Sequence, residues 1–348
     1  MLRTMTLASF LMLAAASACT QSDTGPEQDA RPEQASQAVS ESRVISSPDT
    51  QEDFDAVSGF AVFEKLFGVV EGKRRNHTKG FCVEGTLSPV DPAIKTYSNS
   101  PLFTGVSSVI ARVSHKGGKA DPADDQYGLL GMGMEITPPD DDIHVIGMNT
   151  EHFFPVATSN EFIELLVAKI AGPEAVAAFA AKHPALGVYK KYHDALDKTV
   201  RPYEGTTYNS VNSFYLVDAN GKKTAIRFSF VRSGREDIVV ETHPDFFLEN
   251  MQANIADGGV SWDMEVTLAN PDDAVIDPSV QWTGDHRKIV AARFTAQTAM
   301  SESDGRCDEL NFDPTVLSDG FAPTQDPMIQ VRSMIYAIGV GKRLSERD

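Results

Sequence analysis

Near the end of the chain stands Asp326-Pro327-Met328-Ile329-Gln330-Val331-Arg332-Ser333-Met334-Ile335-Tyr336. Pro327 suits a first helical turn, where its missing N–H costs nothing, and the acidic residue before it suits the positive end of a helix. From there to about Arg343 the residues favour a helix, with Ile329, Met334, Ile338 and Val340 as an apolar stripe. On that helix Arg332 and Tyr336 are one turn apart and share a face. A guanidinium beside a phenol favours the phenolate, and a phenolate is a hard anionic ligand for ferric haem. The plainer alternative is a tyrosine stacked on an arginine at a helix surface. The helix gains meaning only from what the rest of the chain supplies.

Upstream, short runs read as strands: Phe81 to Leu87, Ser107 to Ser114, Tyr127 to Ile136, Ile143 to Asn149, Asn212 to Val217, Thr224 to Val231, Ser261 to Leu268 and Lys288 to Thr295. They come mostly in hairpin order, and Asp218-Ala219-Asn220-Gly221 is a strong hairpin turn. Eight strands can close into a barrel with a filled or ligand-sized interior. A helical insert separates the fourth from the fifth. Thr158 and Glu161 have capping-box spacing ahead of Phe162 to Ala171. Gly172-Pro173 breaks the run, Glu174 to Lys182 resumes it, and Pro184 to Lys198 adds a third piece. Further helices span about Pro244 to Ala256 and Ala56 to Val70. The expected class is α+β: an eight-stranded antiparallel β-barrel with helical insertions and the C-terminal helix, in one domain over residues 56–348.

The 348-residue chain has 31 basic and 49 acidic residues and a formal charge of −18. Nucleic acid and anionic lipid are therefore poor partners for its surface. Residues 1–18 read as an export signal, with Arg3, an apolar core from Leu7 to Ala16, and a small-residue cleavage site at Ala16-Ser17-Ala18. The core is too short to span a membrane. Cys19 follows at once, as in bacterial lipoproteins. The expectation is a periplasmic or cell-envelope protein, tethered to the membrane by a lipid on Cys19 or released. Residues 19–55, rich in Gln, Ser, Glu, Asp and Pro, read as a disordered linker. Cys82 and Cys307 remain. Export permits a disulfide between them, but two cysteines far apart in sequence do not establish one.

His77 follows two arginines ahead of the first strand, where a surface histidine in a basic loop is the bland reading. Arg112 and Ser114 alternate on the second strand and so face the same way. Facing a barrel interior, that pair implies something anionic and polar inside. Five segments then appear in order. They are Arg74-x-x-His77-x-Lys79-Gly80; Ala111-Arg112-Val113-Ser114 with Gly118-x-Ala120-Asp121 and Asp125-x-x-Gly128; and Gly147-Met148-Asn149-Thr150 with Phe153-Phe154. Asn212 to Gly221 is the fourth, and Phe312-Asp313-Pro314 with Pro323, Asp326 and Arg332-x-x-x-Tyr336 is the fifth. Together they resemble the haem catalases over about residues 58–345. The chain ends just after the last helix, so the resemblance is to the short branch, the catalase-related peroxidases.

That resemblance implies haem b, with Tyr336 as proximal iron ligand and Arg332 holding it ionised. It implies His77 as distal base, oriented by Ser114, and Arg74, Arg112 and Arg343 as partners of the haem propionates. Phe153 and Phe162 are candidates for packing near the haem. The family's distal Asn position falls on Met148, with Asn149 next along. Thioether sulfur is a weak acceptor and no donor, so Met148 at that place implies weak or no dismutation of peroxide. A register slipped by one residue would put Asn149 in the pocket instead, since only one of two adjacent strand residues can face the haem. The implied substrates are hydrogen peroxide or organic hydroperoxides, with a small-molecule or protein electron donor, and the implied assembly is a monomer or homodimer. Two alternatives stay open: a fatty-acid hydroperoxide isomerase of the allene oxide synthase kind, and a barrel that binds haem without turnover.

Overall fold

The computed structural model describes residues 55–233 and 242–347. The export signal, Cys19 and all of the linker but Asp55 lie outside the described residues. Among the described residues ten strands form one antiparallel sheet: β1 (Gly80–Pro89), β2 (Ser107–His115), β3 (Leu130–Thr137), β4 (His144–Asn149), β5 (Tyr208–Asn209), β6 (Phe214–Val217), β7 (Lys223–Ser233), β8 (Ser261–Leu268), β9 (Lys288–Met300) and β10 (Phe321–Pro323). The ring closes through β1-β2-β3-β4-β5-β7-β8-β9 and back to β1, giving the expected eight-stranded barrel.

One stave differs from expectation. The ring runs through Tyr208–Asn209, not through the run from Asn212 to Val217. Asn209 pairs with Asn149 on one side and with Ser229 on the other. Val211 then adopts φ 61, a conformation that bulky residues avoid, and the chain leaves the ring there. β6 resumes against the other half of β7 and pairs outward with β10. The intervening turn is the predicted one: Gly221 (φ 78) donates to the Asp218 carbonyl, and the Asp218 carboxylate accepts from Asn220 N and Lys222 N.

Alternation sorts each strand into two faces. Val113, Met132, Met134, Ile146 and Met148 point into the apolar interior with Trp262 and Phe294, whose rings stack at 5.6 Å. Arg112, Ser114, Gly131, Gly133, Gly147 and Asn149 therefore lie on the outer face. Arg112 and Ser114 do share a face, as expected, but it is not the barrel interior, because their neighbours Ala111 and Val113 occupy that space. The register aligns the outer residues in rows. Gly80, Ser114, Gly131 and Asn149 form one; Cys82, Arg112, Gly133 and Gly147 form the next.

Helices stand beside these rows. α1 (Ala56–Phe67) and α6 (Pro327–Ser345) pack together through Phe60, Val331 and Ile335, with Tyr336 against them. α6 begins where predicted: the Asp326 carboxylate accepts Met328 N at 2.9 Å, with Pro327 in the first turn. The insert forms α2 (Ser159–Ala171), α3 (Pro173–Lys182) and α4 (Pro184–Ala195), and Thr158 and Glu161 make the reciprocal capping box. α5 (Phe247–Ala256) follows β7. Cys82 and Cys307 are joined in a disulfide. Among the described residues no helix is long and apolar enough to cross a membrane.

Candidate active site

His77 is held in a strained turn, at φ 60. Residues in such sparse regions persist only where neighbours enforce them, at roughly 1–3 kcal/mol each. The enforcing groups are local. Asn76 Oδ1 accepts both His77 N at 3.0 Å and Gly117 N at 2.8 Å, and Thr78 Oγ1 donates to the Arg74 carbonyl at 2.8 Å. The turn lays the imidazole on the barrel's outer face, with Nδ1 2.9 Å from Ser114 Oγ. Ser114 Oγ also lies 3.4 Å from the Gly131 carbonyl. That carbonyl can only accept, so the serine donates to it and accepts from Nδ1–H. Nε2 is then the unprotonated nitrogen. Burial, followed by the charges of Lys116, Arg112, Arg332 and Arg74, pulls the His77 pKa down to about 3. The ring is neutral at physiological pH.

A second group sits one row away. Arg332 donates from Nη2 to Tyr336 Oη at 3.2 Å, one helical turn along α6. Its other terminal nitrogen donates to Asn212 Oδ1 at 2.6 Å, and Asn212 Nδ2 donates to Asp326 Oδ2 at 2.6 Å. Tyr336 is thus the end of a relay of four residues. Asp326 and Asn212 both lie in the segments that carry the resemblance, but the sequence assigns neither a contact with Arg332. Burial raises the Asp326 carboxyl to about 6, against the hydrogen bonds from Asn212 and Met328 N and the charges of Arg332 and Arg227.

Three glycines make both arrangements fit. A Cβ on Gly131 would stand 2.6 Å from the His77 ring, on Gly133 2.6 Å from the Phe312 ring, and on Gly147 2.8 Å from Arg332 Nη2. His77, Phe312 and Arg332 therefore rest on bare backbone. Gly131 and Gly147 are diagonal neighbours across β3 and β4, so the base and the tyrosine's arginine lie over points about 7–8 Å apart.

Arg74, Arg112 and Arg343 gather beside this face. Arg112 Nε donates to Glu302 at 2.6 Å, Arg74 to Asp308 at 2.8 Å, and Arg343 to the Leu310 carbonyl at 3.2 Å. Among the described residues, Lys73, Arg74, Arg112 and Arg347 share two carboxylates, Glu302 and Asp308. Burial first, and then the charges of Arg112 and Arg343, push the Arg74 pKa well below its usual value. Arg343 Nε is buried with no hydrogen-bond partner among the described residues. The surplus and the orphaned donor fit a group bearing two carboxylates, as haem does.

One expectation changes here. Met148 pairs with Met132 and points into the barrel core, 3% exposed. Asn149 instead pairs with Gly131, in the row beneath His77, so the amide and not the thioether is on the site's face. Strand alternation permits only one of two adjacent residues to face the site. Phe153 is packed against Tyr189 and Tyr192 of α4, and Phe162 between Phe63 and Phe154. No ring contact among the described residues joins either to His77 or Tyr336. His77, Ser114, Arg74, Arg112, Arg332, Arg343 and Tyr336 do assemble. Phe312, Gly131, Gly147, Glu302 and Asp308 complete the surroundings without having been assigned any part in them.

No family model matches the chain. Two curated proteins do. The chain is 32% identical over 296 residues to a catalase-related peroxidase of Synechococcus elongatus, covering 81% of this chain and 87% of that protein. It is 26% identical over 285 residues to a catalase-related peroxidase of Mycolicibacterium paratuberculosis, covering 79% and 90%. With a barrel closed as expected and a base and a tyrosine on one outer face of it, the chain belongs to the catalase-related peroxidase family, and is an oxidoreductase that uses peroxide.

Proposed function

We propose that this peroxidase is haem-dependent, with Tyr336 as the proximal iron ligand and His77 as the distal base. The observation that carries the reading is the glycine-floored face: His77 on Gly131 and Arg332 on Gly147 bring a neutral imidazole and an arginine-bonded phenol to the same side of the barrel. Bound there, haem iron would supply two-electron reduction of peroxide. Arg332 stabilises a phenolate at Tyr336 by a charge-assisted hydrogen bond. Arg74, Arg112 and Arg343 hold the two propionates. His77 Nε2 takes a proton from bound peroxide and returns it to the departing oxygen, so that oxygen leaves as water or alcohol rather than as an anion. Ser114 fixes the tautomer that makes this step available. The substrates are hydrogen peroxide or organic hydroperoxides, and an external donor returns the electrons. Met148 gives no ground for weak dismutation, because Asn149 occupies the site's face.

Export to the periplasm, with a lipid on Cys19, belongs to the same reading. The Cys82–Cys307 disulfide supports an oxidising compartment.

The test is reconstitution of the mature chain with haemin, followed by absorption spectra on mixing with peroxide. The expected outcome is a ferric tyrosinate spectrum that changes with peroxide and returns only when a donor is added. Haemin uptake indifferent to peroxide would sink the catalytic reading, and spontaneous conversion of a fatty-acid hydroperoxide without donor would favour the isomerase.

A further inference from the structure

Residues 301–310 follow β9 with no helix or strand among them. Yet this segment holds the arginine cluster. Glu302 accepts from Arg112 and Lys73, Asp308 from Arg74 and Arg347, and the Leu310 carbonyl from both Arg74 and Arg343. The Cys307 carbonyl takes another bond from Arg74, at 3.2 Å. Among the described residues the Arg74 and Arg343 side chains donate hydrogen bonds to this segment alone.

No sheet ladder fixes the segment, so something else must hold its acceptors in place. Cys82 on β1 lies directly opposite Arg112 in the β1–β2 register, and its sulfur is bonded to Cys307 at the segment's middle. Cys307 N also lies 3.2 Å from Cys82 Sγ, and a Cβ on Gly305 would stand 2.7 Å from both Cβ and Sγ of Cys82. Both cysteines are 0% exposed.

We propose that the Cys82–Cys307 disulfide positions the arginine cluster, and that its loss loosens the grip on the dianionic edge of the cofactor. The inference rests on the haem reading above. Cleavage by a dithiol would transfer two electrons and two protons to the cysteines, leaving two thiols and an oxidised dithiol. With both sulfurs buried, a thiolate reaches the bond only when the fold opens. The bond therefore works as a permanent strut.

The test compares wild-type protein with a Cys82→Ala/Cys307→Ala variant and with Cys82→Val/Cys307→Ala, which restores apolar volume. Each is loaded with haemin, and release to an excess of an apo-globin is timed. The same is done with haemin dimethyl ester, which has no carboxylates. The expected result is release of haemin roughly tenfold faster in both variants, with release of the ester changed much less. Equal acceleration of both ligands would show a packing effect only, and unchanged release of haemin would overturn the inference outright. If neither variant folds, loaded wild-type protein is held with dithiothreitol in urea below its unfolding midpoint until two free thiols per chain are counted, and release of both ligands is then timed against an unreduced control in the same urea. Failure of oxidised wild-type protein to take up haemin removes the haem reading and this inference with it, whereas uptake with unchanged release removes the inference alone.

Discussion

Gly131 lies directly beneath the His77 imidazole: a Cβ there would stand 2.6 Å from Cε1 and 2.9 Å from Nδ1. Both neighbours leave little room to yield. The ring is fixed by Ser114 and by the strained turn at its own backbone, and the Met148 carbonyl stands 3.2 Å from the same point. Gly131→Ala should lift the imidazole and lengthen its bond to Ser114. A misplacement of about 1 Å near the reacting atoms can cost about 10²-fold. Peroxide-dependent donor oxidation should fall by that order while haemin uptake persists. Gly341→Ala is the control: nothing lies within 4 Å of its Cβ, and on α6 it should stabilise by up to about 1 kcal/mol without changing turnover.

The His77 pKa, lowered from 6.5 to about 3, has two consequences. The base is unprotonated from about pH 4 upward, so the reaction with peroxide should show no acid limb from His77 between pH 5 and 8. For stability the sign is that of a depressed histidine. The unfolded chain takes a proton near pH 6.5 and the native protein only near pH 3, so stability is full above 6.5 and drains as pH falls between them. His77→Gln removes that term. The difference in unfolding midpoint between pH 7 and pH 5 should be smaller in the variant than in the wild type, and an equal difference would count against a buried neutral His77.

Much of this site was legible because its residues sit at fixed spacings. Arg332 and Tyr336 are one helical turn apart, and Arg112 and Ser114 alternate on a strand, so local geometry alone paired them. What escaped was set by register between distant strands. Whether Met148 or Asn149 faces the site depends on which residue of β3 lies opposite, and the pairing of Asn149 with Gly131 is a property of the closed barrel. The same holds for inside and outside: a strand's two faces read alike until the core residues of its neighbours are known. Asn212 read as strand because apolar residues follow it, but the left-handed turn at Val211 detaches it to bridge Arg332 and Asp326. Phe312 and the glycines under it carry no periodic signal of their own.

Asp326 should titrate near neutrality and be felt at Tyr336. Its carboxyl is raised from 3.8 to about 6 by burial, partly offset by Asn212, Met328 N, Arg332 and Arg227. A raised acid adds stability below about pH 4, lost as pH climbs through about 6, where the native carboxyl must ionise in a buried place. Ionisation also strengthens the pull on Arg332 through Asn212. The spectrum of the haemin-loaded protein should therefore show a transition near pH 6 that Asp326→Asn abolishes. A transition that survives in the variant belongs to another group.

Asn149 and Met148 separate cleanly by substitution, because strand alternation sends them to opposite faces. Met148→Leu keeps the core volume and should cost less than about 1.5 kcal/mol, with turnover unchanged. Asn149→Ala removes the amide from the row that carries Gly131 and Ser114, without touching the core. An amide there can donate to and accept from a peroxide held beside His77, which a methyl group cannot. Dioxygen released per haem from hydrogen peroxide should fall roughly tenfold in Asn149→Ala, the loss of about one hydrogen bond to the reacting oxygens. Donor oxidation should fall less, since it needs a single peroxide oriented by His77 alone. Were Met148→Leu the more damaging change, the two residues would have to exchange faces, and the register of β4 on β3 with them.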